Sequence, residues 1–325
     1  MIETTFVLSG GLGLGAFQAG ALAALLRSGR LAPAGIAGSS IGAINAAIVA
    51  GNAPEARAER LLAFWQRVAT EIAPAPWIDP VGLAGFATLR RARNWANVLA
   101  ARSSGVRGLF SPRSPLSPSG SEVPSLYDTH DLAATAPDFI DFDLLSRAEL
   151  RCCINTTDVV TGAAMLFDTA AGAVLTPDHL RASGGLLPNF PPMRIGNRVL
   201  GDGGFSANLP LGVFLASDRA RPAPALCIAL DLFSPAVPPP TSIGETIARG
   251  SDLQFVGQTR ATVNALRREW ALRADGATDL VIAAYHPQET DAEPEKPFDF
   301  SRETLARRVA AGEAVAARVL AVVDG

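Results

Sequence analysis

"FVLSGGLGLGAFQAGALAALL", residues 6–26, is the stretch of this sequence that decides the fold. Its apolar start, residues 6–8, predicts a short buried strand, and residues 16–26 predict a helix rich in alanine and leucine. A glycine-rich turn separates the two, and a second glycine-containing turn precedes another predicted helix at Ile41–Ala50. Strands that alternate with helices across tight turns are typical of an α/β fold, in which helices cover both faces of a parallel sheet.

The remainder of the chain continues this pattern, with one interruption. Helices are predicted at 54–71, 243–273 and 301–323, and strands at 150–157, 163–167, 225–233 and 279–285. Residues 36–37 form an apolar run that is too short to be assigned to a strand by itself. The interruption is 74–124, which is rich in proline; within it, the arginine-rich stretch 86–113 predicts a basic helix with an apolar face. Such a helix either covers the core or lies on an anionic membrane surface.

The glycine-rich turn does not have the features of a nucleotide site. Residues 11–16 fit the loose pattern G-x-G-x-x-A, but a dinucleotide site also needs a carboxylate about 20 residues further on. No aspartate or glutamate occurs between Glu3 and Glu55, and no Gly-Lys-Ser/Thr follows the glycines. The turn is therefore either purely structural or a cradle for negative charge that develops during a reaction.

A second motif, "AGSSIGA" at residues 37–43, favours the interpretation that the glycine-rich turn binds negative charge that develops during a reaction. It matches G-x-S-x-G, with Ser40 at the centre and Gly38 and Gly42 on either side. A nucleophilic serine on a tight strand-to-helix turn has a strained backbone, and glycines two residues away on each side avoid clashes there. Ser39 does not fit this spacing and is predicted to be structural.

A nucleophilic serine also needs an oxyanion hole and a base. Backbone amides of the glycine-rich turn, Gly10, Gly11, Leu12 and Gly13, are the predicted oxyanion donors. Four residues are candidates for the base. They are the three histidines, His130, His179 and His286, and Asp202, which lies in the sequence Gly-Asp-Gly-Gly at residues 201–204. His130 and His179 suit helix-capping or solvated roles, whereas His286 ends a predicted strand and could complete a Ser-His-Asp triad. Asp-Gly-Gly is also common in hairpin turns, so the tripeptide alone does not settle the choice.

Bulk composition narrows the class of protein. The chain has 325 residues and a formal net charge of −3, which argues against a nucleic-acid partner. Its three cysteines lie in apolar, strand-like runs and are predicted to be buried free thiols, as expected in a reducing compartment. The N-terminus shows no signal-peptide pattern and no run is long enough to span a membrane, so we expect a cytoplasmic protein, with peripheral membrane contact as an option. Nothing in the sequence predicts a cofactor or a metal.

Together these motifs resemble the patatin-like phospholipase family. The resemblance rests on the glycine-rich stretch 10–15 with motif glycine Gly15, on the serine turn 38–42, and on "RASGGLLPNFPPMRIGNRVLGDGGFSANLP" at 181–210. It implies a three-layer α/β/α fold with a mostly parallel central sheet, a variant of the α/β-hydrolase theme. It also implies hydrolysis of lipid acyl esters by a dyad of Ser40 and Asp202, with the motif glycines Gly203 and Gly204 beside the acid.

The chain departs from the family pattern inside the glycine-rich stretch. The family usually reads Gly-Gly-Gly-x-Arg/Lys-Gly, whereas this chain has leucine at 12 and at 14. The missing basic residue makes a neutral ester or lysolipid more credible as substrate than a phosphate-bearing lipid. Three alternatives stay open: a lipid-binding scaffold without turnover, an esterase that uses His286, and acyl transfer by the same residues.

The resemblance also implies a division of the chain. Residues 1–240 correspond to the catalytic domain, with a variable insertion at about 75–125. Residues 241–325 are expected to be a C-terminal extension, built of helices and a strand, that packs on the same domain. The number of subunits is not predicted.

Overall fold

The computed structural model describes residues 1–70, 87–113, 124–216, 225–272, 278–287, 291 and 295–324. Its strands are β1 Ile2–Leu8, β2 Leu31–Ser39, β3 Ser111–Pro112, β4 Tyr127–Asp128, β5 Arg151–Asp158, β6 Ala164–Asp168, β7 Met193–Ile195, β8 Arg198–Asp202, β9 Leu226–Asp231 and β10 Asp279–Ala284. Its helices are α1 Gly15–Arg27, α2 Ile41–Ala50, α3 Arg57–Arg67, α4 Ala87–Ser104, α5 His130–Phe139, α6 Phe142–Ser146, α7 Pro177–Ser183, α8 Gly204–Ala207, α9 Leu211–Ala216, α10 Ile243–Trp270 and α11 Arg302–Asp324.

Eight of the described strands form one sheet. Strands β10, β9, β1, β2 and β5 lie side by side in that order and are parallel. Antiparallel β6, β8 and β7 extend the sheet beyond them. The predicted α/β fold with a mostly parallel sheet is confirmed, and the short β3–β4 pair lies outside this sheet.

The helices cover both faces of the sheet. Because side chains alternate along a strand, Phe6 and Leu8 of β1 pack on one face and Val7 on the other. The first face carries α1, α2, α3 and α11, and the second carries α9 and the C-terminal part of α10. The three cysteines, Cys152, Cys153 and Cys227, are buried free thiols inside this arrangement, as predicted.

Strand β2 was not assigned from the sequence. It reads LAPAGIAGS, in which Ile36 is the single β-branched residue and no aromatic residue occurs, so its local preference for a strand is weak. It is nevertheless extended, because β1 and β5 pair with it on both sides. The neighbouring strands therefore impose a conformation that the local residues do not predict.

The arginine-rich region is partly described, since residues 71–86 and 114–123 lie outside the described residues. Within it, α4 buries Val98 against the core. Arg93 and Arg102 form ion pairs with Glu303 and Glu295 of the C-terminal segment. These contacts favour the interpretation that α4 covers the core. Among the described residues, no helix combines the length and apolarity that a membrane span requires.

Candidate active site

Ser40 lies at the turn between β2 and α2, as the G-x-S-x-G motif predicts. Its backbone has φ 55° and ψ −125°, in a region that costs a non-glycine residue about 1–3 kcal/mol. Helix α2 begins at the next residue, so the positive end of its dipole points toward the serine. Such strain persists only where the surrounding structure holds it in place.

The two motif glycines make this turn sterically possible. A Cβ on Gly38 would lie 2.2 Å from the carbonyl carbon of Gly42, and a Cβ on Gly42 would lie 2.6 Å from the carbonyl oxygen of Leu8. Both distances are far below van der Waals contact. A side chain at either position would therefore force the turn apart.

Strand β5 brings Ser40 and Asp202 together. Ser39, the last residue of β2, pairs with Asn155 of β5, and Asp202, the last residue of β8, pairs with the next residue, Thr156. Because β6 occupies the other edge of β5, strands β2 and β8 share one edge and meet end to end. Two residues 162 positions apart in the sequence, Ser40 and Asp202, therefore meet at this junction.

Asp202 is a buried carboxylate, only 3% exposed. Burial raises its pKa to about 6, although the backbone N–H of Gly204 and the hydroxyl of Ser40 lower this pKa in part. The Gly204 N–H lies 2.6 Å from Oδ1. A Cβ on Gly203 would lie 2.5 Å from the carbonyl oxygen of Asn155, so this motif glycine allows the chain to pass close to β5.

Further polar residues hold the junction, and the sequence interpretation assigned them no role. Ser183 Oγ accepts a hydrogen bond from the N–H of Ser40 at 2.8 Å and donates one to the carbonyl of Asn155 at 2.7 Å. The amide of Asn155 donates to the carbonyl of Gly203 at 3.0 Å. Ser39 donates to the carbonyl of Ala207 at 2.8 Å, consistent with a structural role. Ser183 lies in the block 181–210, but its role in holding Ser40 can be inferred only from the contacts in the folded structure.

The glycine-rich turn lies directly against Ser40. A Cβ on Gly10 would be 2.9 Å from the Cβ of Ser40. Leu12–Leu14 form a 3-10 helix that leads into α1, and the first N–H groups of a helix have no partner within it. The amides of Leu12 and Gly13 therefore lie at a helix N-terminus, where negative charge is stabilised.

One of the four predicted oxyanion donors is already engaged. The N–H of Gly10 donates to the carbonyl oxygen of Asn208 at 3.2 Å. This bond corrects the prediction for Gly10, because its amide fixes the turn to the loop after Asp202. The remaining candidates are Gly11, Leu12 and Gly13.

Leucine departs from the family pattern at two positions of this turn, in place of a glycine at Leu12 and of a basic residue at Leu14, with different consequences. Leu12 adopts φ 51°, a left-handed conformation that costs about 1–2 kcal/mol in a leucine, and its side chain lines the pocket at Ser40. Leu14 is completely buried in the core. A Cβ on Gly15 would lie 2.7 Å from Ile41, so this glycine brings α1 close to α2.

A pocket opens at Ser40, and the space in and in front of it, open solvent included, is about 420 Å³. Its wall is mainly apolar and includes Ile41, Ile44, Phe110, Leu132, Phe190 and Phe300. Arg181 carries the one charge among the described lining residues. Its guanidinium donates to Asp178 at 3.0 Å and to Thr129 at 3.1 Å, so this charge is already partnered.

None of the three histidines is placed at Ser40 by a described contact. His286 follows β10, three strands from β2, which corresponds to roughly 14 Å at the usual spacing. Its Nδ1 lies 3.1 Å from Ser234 Oγ. His179 Nδ1 accepts from the N–H of Thr176 in a capping box, and the N–H of His130 donates to Asp128 at the start of α5. Within the described ranges, no group of three or more potential metal ligands occurs.

Comparisons with known proteins place this arrangement in context. The chain is similar in structure to VipD from Legionella pneumophila, with 13% identity, a TM-score of 0.45, and coverage of 99% of this chain and 67% of that one. It is also similar to a chain of the heterodimeric ExoU–SpcU complex from the type III secretion system of Pseudomonas aeruginosa, with 16% identity, a TM-score of 0.29, and coverage of 95% and 52%. No curated protein matches the chain.

The profile of one protein family also matches the chain. It is described as patatin-like phospholipase and covers residues 6–215, well over half of the 325 residues. The matched range begins in β1 and ends in α9, so it includes the glycine-rich turn, the serine turn and the junction of β2 with β8. The chain belongs to the patatin-like phospholipase family.

Proposed function

We propose that the chain hydrolyses lipid acyl esters with a catalytic dyad of Ser40 and Asp202. Membership of a phospholipase family supports an enzyme that acts on lipid esters. The observation that carries the finer proposal is the junction of β2 with β8, where the strand register brings Ser40 to the buried carboxylate of Asp202. A hydroxyl next to a base is the arrangement that nucleophilic catalysis requires.

The proposed reaction proceeds in two steps. In the first, Asp202 accepts the proton of Ser40 while Oγ attacks the ester carbonyl, and the alcohol departs with a proton returned by Asp202. In the second, Asp202 accepts a proton from water as the water oxygen attacks the acyl-enzyme. The bond between the acyl carbon and Oγ then breaks, Asp202 returns the proton to Oγ, and the fatty acid leaves. An aspartate with an ordinary pKa of 3.8 is a weak base, so the raised pKa of about 6 brings it nearer to the working pH.

The oxyanion of each tetrahedral intermediate is assigned to the glycine-rich turn. Gly11, Leu12 and Gly13 carry the backbone N–H groups of the turn that contacts Ser40 through Gly10, and the start of the 3-10 helix contributes its positive partial charge. One such donor is worth about 3 kcal/mol of barrier. Backbone donors of this kind need no metal or cofactor.

The pocket favours an uncharged region of the substrate near Ser40. Its apolar wall suits an acyl chain, and the partners of Arg181 offset the one charge that lines it. Leu14 leaves the turn without the basic residue that is usual in the family. These features support a lysolipid or a neutral ester over a lipid whose phosphate binds beside the serine.

Labelling with a fluorophosphonate, combined with a mixed lipid extract, tests the proposal. We expect one covalent adduct, located on Ser40 by mass spectrometry, and loss of an acyl chain from particular lipid species. A protein that binds lipid without turnover would give neither result. Acyl transfer would appear as new esters instead of free fatty acid, and an adduct on another serine would reject the dyad.

The pH dependence of kcat/KM is expected to follow Asp202. Protonated Asp202 cannot accept the serine proton, so activity should rise with pH through an apparent pKa near 6 and then level off. The measurement is kcat/KM between pH 4.5 and 8 with an uncharged ester. A rise centred near pH 4 would mean that burial does not raise the pKa of the carboxyl group that acts as the base.

Membrane contact through residues 86–113 stays a prediction, and the ion pairs of α4 with the C-terminal segment count against it. We also propose that residues 241–325 belong to the same folding unit as the catalytic part. Strand β10 joins the central sheet next to β9, and α11 packs along α1.

A further inference from the structure

The C-terminal segment packs against the proposed oxyanion turn, although it lies outside the residues that the family profile matches. A Cβ on Gly13 would lie 2.9 Å from the carbonyl oxygen of Pro297, 3.0 Å from that of Asp299 and 3.2 Å from Nη1 of Arg308. Two backbone carbonyls and a guanidinium therefore support the turn on the side of Gly13. Phe300, one residue beyond Asp299, lines the pocket at Ser40.

Arg308 holds this supporting segment in place from α11. Its side chain is 1% exposed, and its two terminal nitrogens donate to the carbonyl oxygens of Asp299 at 3.0 Å and Lys296 at 2.8 Å. The guanidinium also pairs with Asp291 at 3.5 Å, and Asp291 accepts a hydrogen bond from Tyr285 at 2.9 Å. One buried cation thus links α11 to the backbone that contacts Gly13.

The same helix is locked to α1, which continues directly from the glycine-rich turn. A Cβ on Gly20 of α1 would lie 2.0 Å from the carbonyl oxygen of Val309, and a Cβ on Gly312 of α11 would lie 2.0 Å from that of Phe17. The two backbones are therefore in direct contact at their crossing. Arg308 precedes Val309, so the guanidinium is anchored at this crossing.

We propose that Arg308 is a positioning residue for the oxyanion turn, acting through the carbonyls of Lys296 and Asp299, so that the C-terminal extension completes the active site. This inference rests on the proposed function. Oxyanion donors act only if they are held where negative charge develops, and a displacement of about 1 Å can cost roughly 10²-fold in rate. Arg308 would thus affect the rate of acyl transfer to Ser40 without contacting substrate.

The test compares Arg308→Lys and Arg308→Met with Arg307→Met. Arg307 is the matched control, because it is the adjacent arginine but lies partly exposed and pairs with Glu303. We expect Arg308→Met to lower kcat by about 10- to 100-fold with KM within about twofold, and to slow fluorophosphonate labelling by a similar factor. Arg308→Lys keeps the charge but cannot reach both carbonyls in the same way, so it should recover part of the loss. Arg307→Met should stay within about twofold of the unmodified protein.

Two further readouts separate positioning from a general loss of structure. The apparent pKa of kcat/KM should remain near 6, because Asp202 is not disturbed, and each variant compared should unfold in one cooperative transition well above the assay temperature. If Arg308→Met does not fold, Arg308→Lys decides the question. A kcat for folded Arg308→Met within twofold of the unmodified protein overturns the inference while leaving the dyad intact, and so does an unchanged kcat in Arg308→Lys where only that variant folds. Absence of hydrolysis and labelling in the unmodified protein would instead reject the proposed function.

Discussion

Replacing Ser40 by alanine is expected to lower kcat for ester hydrolysis by at least about 10⁴-fold. The substitution removes the nucleophile while keeping Asp202, the glycine-rich turn and the pocket. Residual turnover would come only from water activated by Asp202 and from the remaining oxyanion donors. The measurement is release of fatty acid from a lysolipid or neutral ester by purified protein, together with fluorophosphonate labelling, which should disappear.

Ser39→Ala provides the matched control for this prediction. Ser39 is adjacent, fully buried and hydrogen-bonded to the carbonyl of Ala207, but it points away from the proposed chemistry. Loss of that bond should cost about 1–3 kcal/mol of stability, with kcat within about threefold where the variant is folded. If Ser40→Ala keeps appreciable activity, or if Ser39→Ala alone abolishes labelling, the nucleophile has been assigned wrongly.

The elements that could be predicted from the sequence are those whose local pattern agrees with their final environment. Helix α2 was predicted with the bounds that the structure shows, because a continuous apolar run follows the strained serine turn. Strand β2 could not be predicted, since its alanines, proline and glycines carry no strand preference of their own. Its extended conformation depends on pairing with β1 and β5, which are distant in the sequence.

The candidate site divides in the same way. Ser40 could be proposed because it lies in a short motif whose glycines meet local steric demands, and Asp202 because the block 181–210 around it resembles the family. Ser183 and Arg308 act through contacts with residues that lie outside their own sequence motifs. Ser183 contacts Ser40, and Arg308 contacts the segment that packs against Gly13. The engaged amide of Gly10 belongs to this second kind, because its partner Asn208 is 198 residues further along the chain. A single sequence carries no signal for such pairs.

Asp202→Asn is expected to lower kcat by about 10³-fold while leaving the fold intact. The amide keeps an oxygen for the N–H of Gly204, which lies 2.6 Å from Oδ1 in the native protein, so the loop after β8 retains its anchor. It cannot take the proton of Ser40, however, and the acylation step loses its base. The rise of kcat/KM near pH 6 should vanish from the residual activity, because the group that titrates there is gone.

The stability of this variant should change in the opposite direction to its activity. Burial raises the pKa of Asp202 from 3.8 to about 6, so the ionised form destabilises the native state above that pH by about 3 kcal/mol. This penalty is absent below about pH 4 and grows as the pH rises to 6. Asp202→Asn removes it, so we expect the variant to unfold at a higher urea concentration than the unmodified protein at pH 8, and to lose that advantage at pH 4.

His286→Ala is the control that separates a dyad from a triad. His286 lies three strands from Ser40 and next to Ser234, so its removal should leave kcat within about threefold. A loss near 10³-fold in His286→Ala, with a small effect in Asp202→Asn, would make histidine the base and reject the dyad. For Asp202→Asn, a large loss of kcat together with a gain in stability at pH 8 is what we expect if Asp202 is a buried base. If Asp202 only supported the loop after β8, the substitution would lower both the activity and the stability of the protein.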